Sequence, residues 1–143
     1  MSDQFKHECR AIVFFCIDYR LWLTKLAKLM ESIGYDEGSY DHAAIAGSGM
    51  DCLSSALGES DHALKQIDIA KRLHGISEVV ILYHDNCGAY GISDKAEENA
   101  KQKADLARIV ELIGIKFPDL TVKTYIIKGT AAQGELTLEP VMP

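Results

Sequence analysis

The chain has 143 residues, 48% of them hydrophobic and 25% charged, with a formal net charge of -6 at pH 7. That length predicts one domain over 1–143 that buries most of its apolar surface, and the composition excludes disordered, collagenous and coiled-coil classes. An acidic balance without any block of Lys or Arg argues against nucleic acid as a partner, because phosphate binding rests on clustered positive charge.

The opening MSDQFKHECR is polar, and the apolar run after it is short and stops at Asp18 and Arg20. This argues against a signal peptide or membrane span and for a cytoplasmic protein. Residues 11–17 (AIVFFCI) are apolar without polar alternation, which predicts a strand buried on both faces of a parallel sheet. Residues 21–33 predict a helix with Trp22, Leu26, Leu29 and Ile33 along one stripe and Gly34 as its stop. A weaker strand over 42–46 leads into Gly47-Ser48-Gly49. Ser60 and Asp61 can cap a helix that turns Leu64, Ile67 and Leu73 inward and ends at Gly75. Residues 78–83 (EVVILY) form a second clear strand, Ser93 caps a long helix through Ile113 closed by Gly114, and 121–127 is a strand. A turn at Gly134 precedes a short last strand over 135–138. The alternation of strands and helices implies an α/β fold: a mainly parallel β-sheet flanked by helices, with a short C-terminal antiparallel strand.

Functional groups of open α/β sheets gather beyond the carboxyl ends of the strands. Cys16 ends the first strand, His84 ends the EVVILY strand, and Cys87 follows in the next loop. If these strands are neighbours, two thiolates and an imidazole converge, a donor set suited to Zn²⁺. Three protein ligands leave one position for water, whose pKa on the metal falls to about 7. Asp18 and Arg20 come from the same strand end. A bidentate pair keeps Asp18 ionised, off the metal and aimed to orient the nucleophile.

Cys16-Ile17-Asp18-Tyr19-Arg20 followed by His84-Asp85-Asn86-Cys87-Gly88 resembles the C-x-D-x-R and H-x-x-C-G signatures of β-class carbonic anhydrases. The resemblance extends to residues 125–129 and 134–136. It implies a β-carbonic-anhydrase-like fold and a zinc-dependent lyase that hydrates carbon dioxide reversibly to bicarbonate. In this reading Cys16, His84 and Cys87 hold Zn²⁺, zinc-bound hydroxide is the nucleophile, and Asp18 and Arg20 are catalytic. Gly47, Ser48 and Gly88 are the substrate-binding candidates, and a small molecule is the substrate. A homodimer or higher homo-oligomer is implied, with no membrane partner. The family's Arg-Asn-Ala-Gly segment stands here as Ala44-Ile45-Ala46-Gly47, without the Arg and Asn. Relatives hydrolyse COS or CS2, so the same site implies these as alternative substrates. A non-catalytic zinc-binding fold is the third reading.

Cys16 and Cys87 also admit a plainer reading as small buried apolar residues, and for Cys9 and Cys52 that reading is preferred. Asp18–Arg20 has the corresponding reading as a structural ion pair. His7, His42, His62 and His74 read as surface or packing residues, with His42 the best placed for a proton shuttle. Tyr19, Tyr83 and Tyr90 flank the motifs as candidates to line the pocket. The stripe of Leu21, Trp22, Leu26 and Leu29 reads as core or subunit interface, and the mixed charges of 94–103 as a solvated helix face.

Overall fold

A strand with no polar alternation is stable only where both of its faces are covered. In the computed structural model, which describes residues 7–141, β1 (Ala11–Phe15) is such a strand, and all five of its residues are buried. It lies between β2 (Tyr40–Ala44) and β3 (Glu78–His84), parallel to both. β4 (Thr121–Lys128) pairs in parallel with β3, and β5 (Thr137–Val141) closes the edge antiparallel to β4, giving the order β2-β1-β3-β4-β5. Helices α1 (Leu23–Ser32), α2 (Met50–Ala56), α3 (His62–His74) and α4 (Lys95–Lys116) flank this sheet. The fold is therefore the mainly parallel α/β arrangement expected, with its C-terminal antiparallel strand.

The period of two along each strand divides the core into two layers. Ile12, Phe14, Val79 and Ile81 pack with Ile67 of α3 and Leu106, Ile109 and Ile113 of α4. Val13, Phe15, Val80 and Leu82 pack on the other side with Leu26, Leu29 and Met30 of α1. Truncating one such side chain to Ala costs about 2–5 kcal/mol, so the strands that carry the site stand on a stiff support.

Several boundaries differ from expectation for local reasons. β1 stops at Phe15, and Ile17 is 64% exposed, because the chain leaves the sheet at Cys16. β2 begins two residues before its expected start, paired from Tyr40 opposite Ala11. α2 is an additional helix, only seven residues long, too short for a periodic pattern to reveal. Asp94 rather than Ser93 caps α4, accepting from the Glu97 N–H at 2.8 Å, and the helix runs through Gly114 to Lys116. β5 is displaced to Thr137–Val141. It accommodates Pro140 because an edge strand has an unpaired side where the missing N–H does no harm. No helix among the described residues is long and apolar enough to cross a membrane.

Candidate metal centre

Parallel strands deliver their last residues to the same edge of the sheet. Phe14 of β1 is opposite Ile81 of β3, so Cys16, just past β1, comes beside His84 at the last position of β3. Cys87 follows after a turn in which Asn86 takes a φ of 54°, a left-handed conformation that Asn tolerates better than most residues. The donor atoms of Cys16, His84 and Cys87 all lie within 4.8 Å of one another, and all three residues are buried.

His84 Nδ1 is 2.7 Å from the Asp85 carbonyl oxygen. A carbonyl only accepts, so Nδ1 carries the hydrogen and Nε2 keeps its lone pair. Nε2 is buried and has no hydrogen-bond partner among the described residues. An orphaned imidazole nitrogen beside two sulfurs is a donor set that fits Zn²⁺. The hydrogen bond from Cys87 holds the Cys16 thiol down at about 4 against the effect of burial, and His84 and the Gly47 N–H, 3.5 Å from Sγ, act in the same direction. Sharing that hydrogen bond with Cys16 raises the Cys87 thiol, and burial adds to the rise. Burial opposes charge on His84, yet the neighbouring Cys16 raises its pKa.

Asp18 and Arg20 form a fork beside these donors. Arg20 Nε donates to Asp18 Oδ1 at 3.0 Å and Nη2 to Oδ2 at 2.8 Å, while the Arg20 backbone N–H donates to Oδ1 at 2.9 Å. The guanidinium also donates to Asn86, through Nη1 to Oδ1 at 2.7 Å and through Nη2 to the carbonyl at 3.0 Å. Arg20 thus ties the loop after β1 to the loop carrying Cys87. Its hydrogen bonds hold the Asp18 carboxyl at about 2, well below its ordinary 3.8. Asp18 Oδ2 stands 3.9 Å from His84 Nε2, next to the donor set.

Three side chains fix the backbone that presents these groups. Glu98 of α4, 4% exposed, accepts from the Asn86 N–H at 2.7 Å and the Cys87 N–H at 2.9 Å. Gln102, one turn later, donates to the His84 carbonyl at 2.8 Å. Asp85 accepts from the Gly129 and Thr130 N–H groups at 3.0 and 2.9 Å, which ties the His84–Cys87 loop to the end of β4. Burial disfavours its charge, but these backbone donors keep the Asp85 pKa below the usual value.

Gly47, Ser48, Tyr83, Tyr90 and Gln102 line a small enclosure around Cys16, His84 and Cys87. Gly47 has a φ of 77°, and a side chain there would press on Met50, while its N–H faces Cys16 Sγ. Ser48 is buried with its hydroxyl unpartnered among the described residues. Gly88 is exposed and does not line the enclosure, Tyr19 is 75% exposed, and His42 lies on β2 near Phe15 rather than at the donors. The solvated-face reading of 94–103 is corrected by Glu98 and Gln102, both buried. Their signal was their spacing: 98, 102, 106, 109 and 113 continue one helical stripe into polar residues. Asn86 carried no signal beyond its place in the His84–Cys87 spacing.

Buried sulfur and imidazole donors at the carboxyl edge of a parallel sheet, with an Arg-held carboxylate beside them, define a candidate metal centre in an α/β protein. Residues 6–133 match the family model described as "Putative carbonic anhydrase", and the chain belongs to that family. An uncharacterized protein of Rickettsia conorii is 28% identical over 129 residues, covering 85% of this chain and 68% of that protein. One of Rickettsia bellii is 26% identical over 129 residues, covering 85% and 77%. Among solved structures, the β-carbonic anhydrase CafA of Aspergillus fumigatus aligns over 96% of this chain and 78% of its own, at 15% identity and a TM-score of 0.47. A structure from work on two tetrameric β-carbonic anhydrases of Sordaria macrospora aligns over 96% and 82%, at 12% identity and a TM-score of 0.47.

Proposed function

We propose that this chain catalyses the reversible hydration of carbon dioxide to bicarbonate, with Zn²⁺ held by Cys16, His84 and Cys87. The carrying observation is that one end of the sheet brings together a buried two-sulfur, one-imidazole set and an ionised carboxylate pinned by Arg20. When bound there, Zn²⁺ supplies a Lewis acid that lowers the pKa of a water molecule to about 7.

The remaining work falls to the chain's own groups. Asp18, ionised throughout the neutral range, only accepts hydrogen bonds, so it fixes the direction of the O–H on the attacking oxygen and leaves a lone pair toward the carbon of CO2. Arg20 occupies both Asp18 oxygens and keeps the carboxylate from turning onto the metal. Asn86 positions Arg20. Gly47 and Ser48 form the wall on the Cys16 side, with Tyr90 and Gln102 completing the enclosure and Gly88 outside it. The reaction joins a water oxygen to carbon and releases one proton to solvent.

Ile17, Tyr19, Trp22 and Leu23 are each more than half exposed beside this site. We assign that apolar surface to contact between copies of the chain in a homodimer or higher homo-oligomer. The test of the activity is stopped-flow turnover of zinc-loaded protein on CO2, COS and CS2. Fastest turnover on CO2 is expected. Turnover confined to COS or CS2 would transfer the site to sulfur substrates, and none on any of the three would make it a non-catalytic metal site.

A further inference from the structure

At the opposite, amino end of the sheet a second group of metal-ligating side chains converges. Cys9 precedes β1, Asp41 is the second residue of β2, and His74 ends α3 just before the chain enters β3. Their donor atoms all lie within 4.8 Å of one another, and His74 Nδ1 is 2.6 Å from Asp41 Oδ2. The backbone holds them there: the Cys9 N–H donates to the His74 carbonyl at 3.0 Å, and the His7 N–H to the Leu73 carbonyl at 3.2 Å. That second bond places the His7 ring edge-on to His74 at 6.2 Å between centroids.

We propose that Cys9, Asp41 and His74 form a second, structural site for a divalent transition-metal ion of the Zn²⁺ type, with His7 as the fourth donor. One thiol, one carboxylate and imidazole nitrogens are the donor types from which closed tetrahedral sites are built. Donors at about 2.0–2.3 Å from one ion stand roughly 3–4 Å apart, so the His74–Asp41 pair has to separate by a fraction of an ångström and the exposed His7 ring has to swing in toward the other three. A catalytic Cys–His–Asp arrangement is the competing chemistry, and it needs a thiolate. Burial and the Asp41 charge instead raise the Cys9 thiol. Asp41 and His74 are about a third exposed and border an open cavity with Gln66 and Ile69, so an ion has an entry path. Once bound, it would clamp the segment around His7 and Cys9 to the end of α3 and to the β2 edge.

The test is a titration of metal-free protein with Zn²⁺ against a chromophoric chelator, together with the melting temperature at each stoichiometry. Wild type should take up two equivalents. Cys9→Ser, Asp41→Asn and His74→Ala should each lose one of them, and Cys16→Ser the other, so failure at one end of the sheet is separable from failure at the other. His7→Ala should weaken the second equivalent at least tenfold. Asp41→Asn is nearly isosteric, and its circular dichroism shows whether it has folded. Two equivalents retained in all three variants would overturn the assignment, as would a wild-type second equivalent that does not raise the melting temperature.

Discussion

Glu98 touches neither the candidate ligands' side chains nor Asp18, yet it supports the backbone from which Cys87 and Asn86 project. Glu98→Gln keeps one carbonyl oxygen and turns an amide NH₂ toward the other backbone N–H, so donor faces donor at a buried position. Hydrogen bonds to a charged group contribute about 1.5–3 kcal/mol, and leaving a buried donor unpaired costs about 1–3 kcal/mol, which places the net loss near 2–4 kcal/mol. For a domain of this size each kcal/mol lowers the melting temperature by roughly 3–4 °C, so a fall of roughly 6–16 °C is expected. Zinc affinity should fall by about 10- to 100-fold, the usual consequence of releasing a ligand's support. Calorimetry and chelator competition read the two effects separately. A shift under about 2 °C with unchanged zinc affinity would refute the reasoning, because it would mean that the loop holds its shape without Glu98.

Arg20→Ala should leave zinc bound and lower CO2 hydration by about 100-fold or more, since the freed Asp18 carboxylate stands 3.9 Å from His84 Nε2 and can turn onto the metal. Zinc-edge absorption should then show an added oxygen ligand, and near-wild-type turnover would reduce the pair to a structural one. The pH dependence of stability has a definite sign. Because the Asp18 pKa is depressed from 3.8 to about 2, its stabilising contribution is complete above the ordinary carboxylate value and is lost as pH falls through about 2. The melting-temperature difference between wild type and Asp18→Asn should therefore be flat from about pH 5 to about 8 and close below about 4. A difference that varies within the neutral range would contradict the assignment.

The parts of this molecule that could be read in advance are those governed by short-range pattern. The unbroken apolar runs of β1 and β3 identified buried parallel strands, and the residues at their ends came together because adjacent parallel strands leave them no other place. What escaped depended on tertiary pairing. Glu98 and Gln102 resemble solvated polar residues until the 84–87 loop folds over them and supplies the groups they bond. Asn86 acquires its role only through Arg20, 66 residues away in the chain. Cys9 reads from the sequence as a small packing residue and His74 as a surface or packing residue, and only the return of α3 to the start of the sheet brings them to Asp41. The short helix α2 lacks the length over which periodicity can be recognised.

The central claim is that an acceptor held by Arg20 beside a three-donor zinc site drives hydration of CO2. It is tested most directly by stopped-flow CO2 hydration of wild type and Asp18→Asn at matched zinc content. Wild type should turn over, and Asp18→Asn, with the same zinc per chain, should be slower by about 100-fold or more. Equal rates at equal zinc would contradict the account, because the carboxylate that Arg20 holds at the site would then have no part in the chemistry.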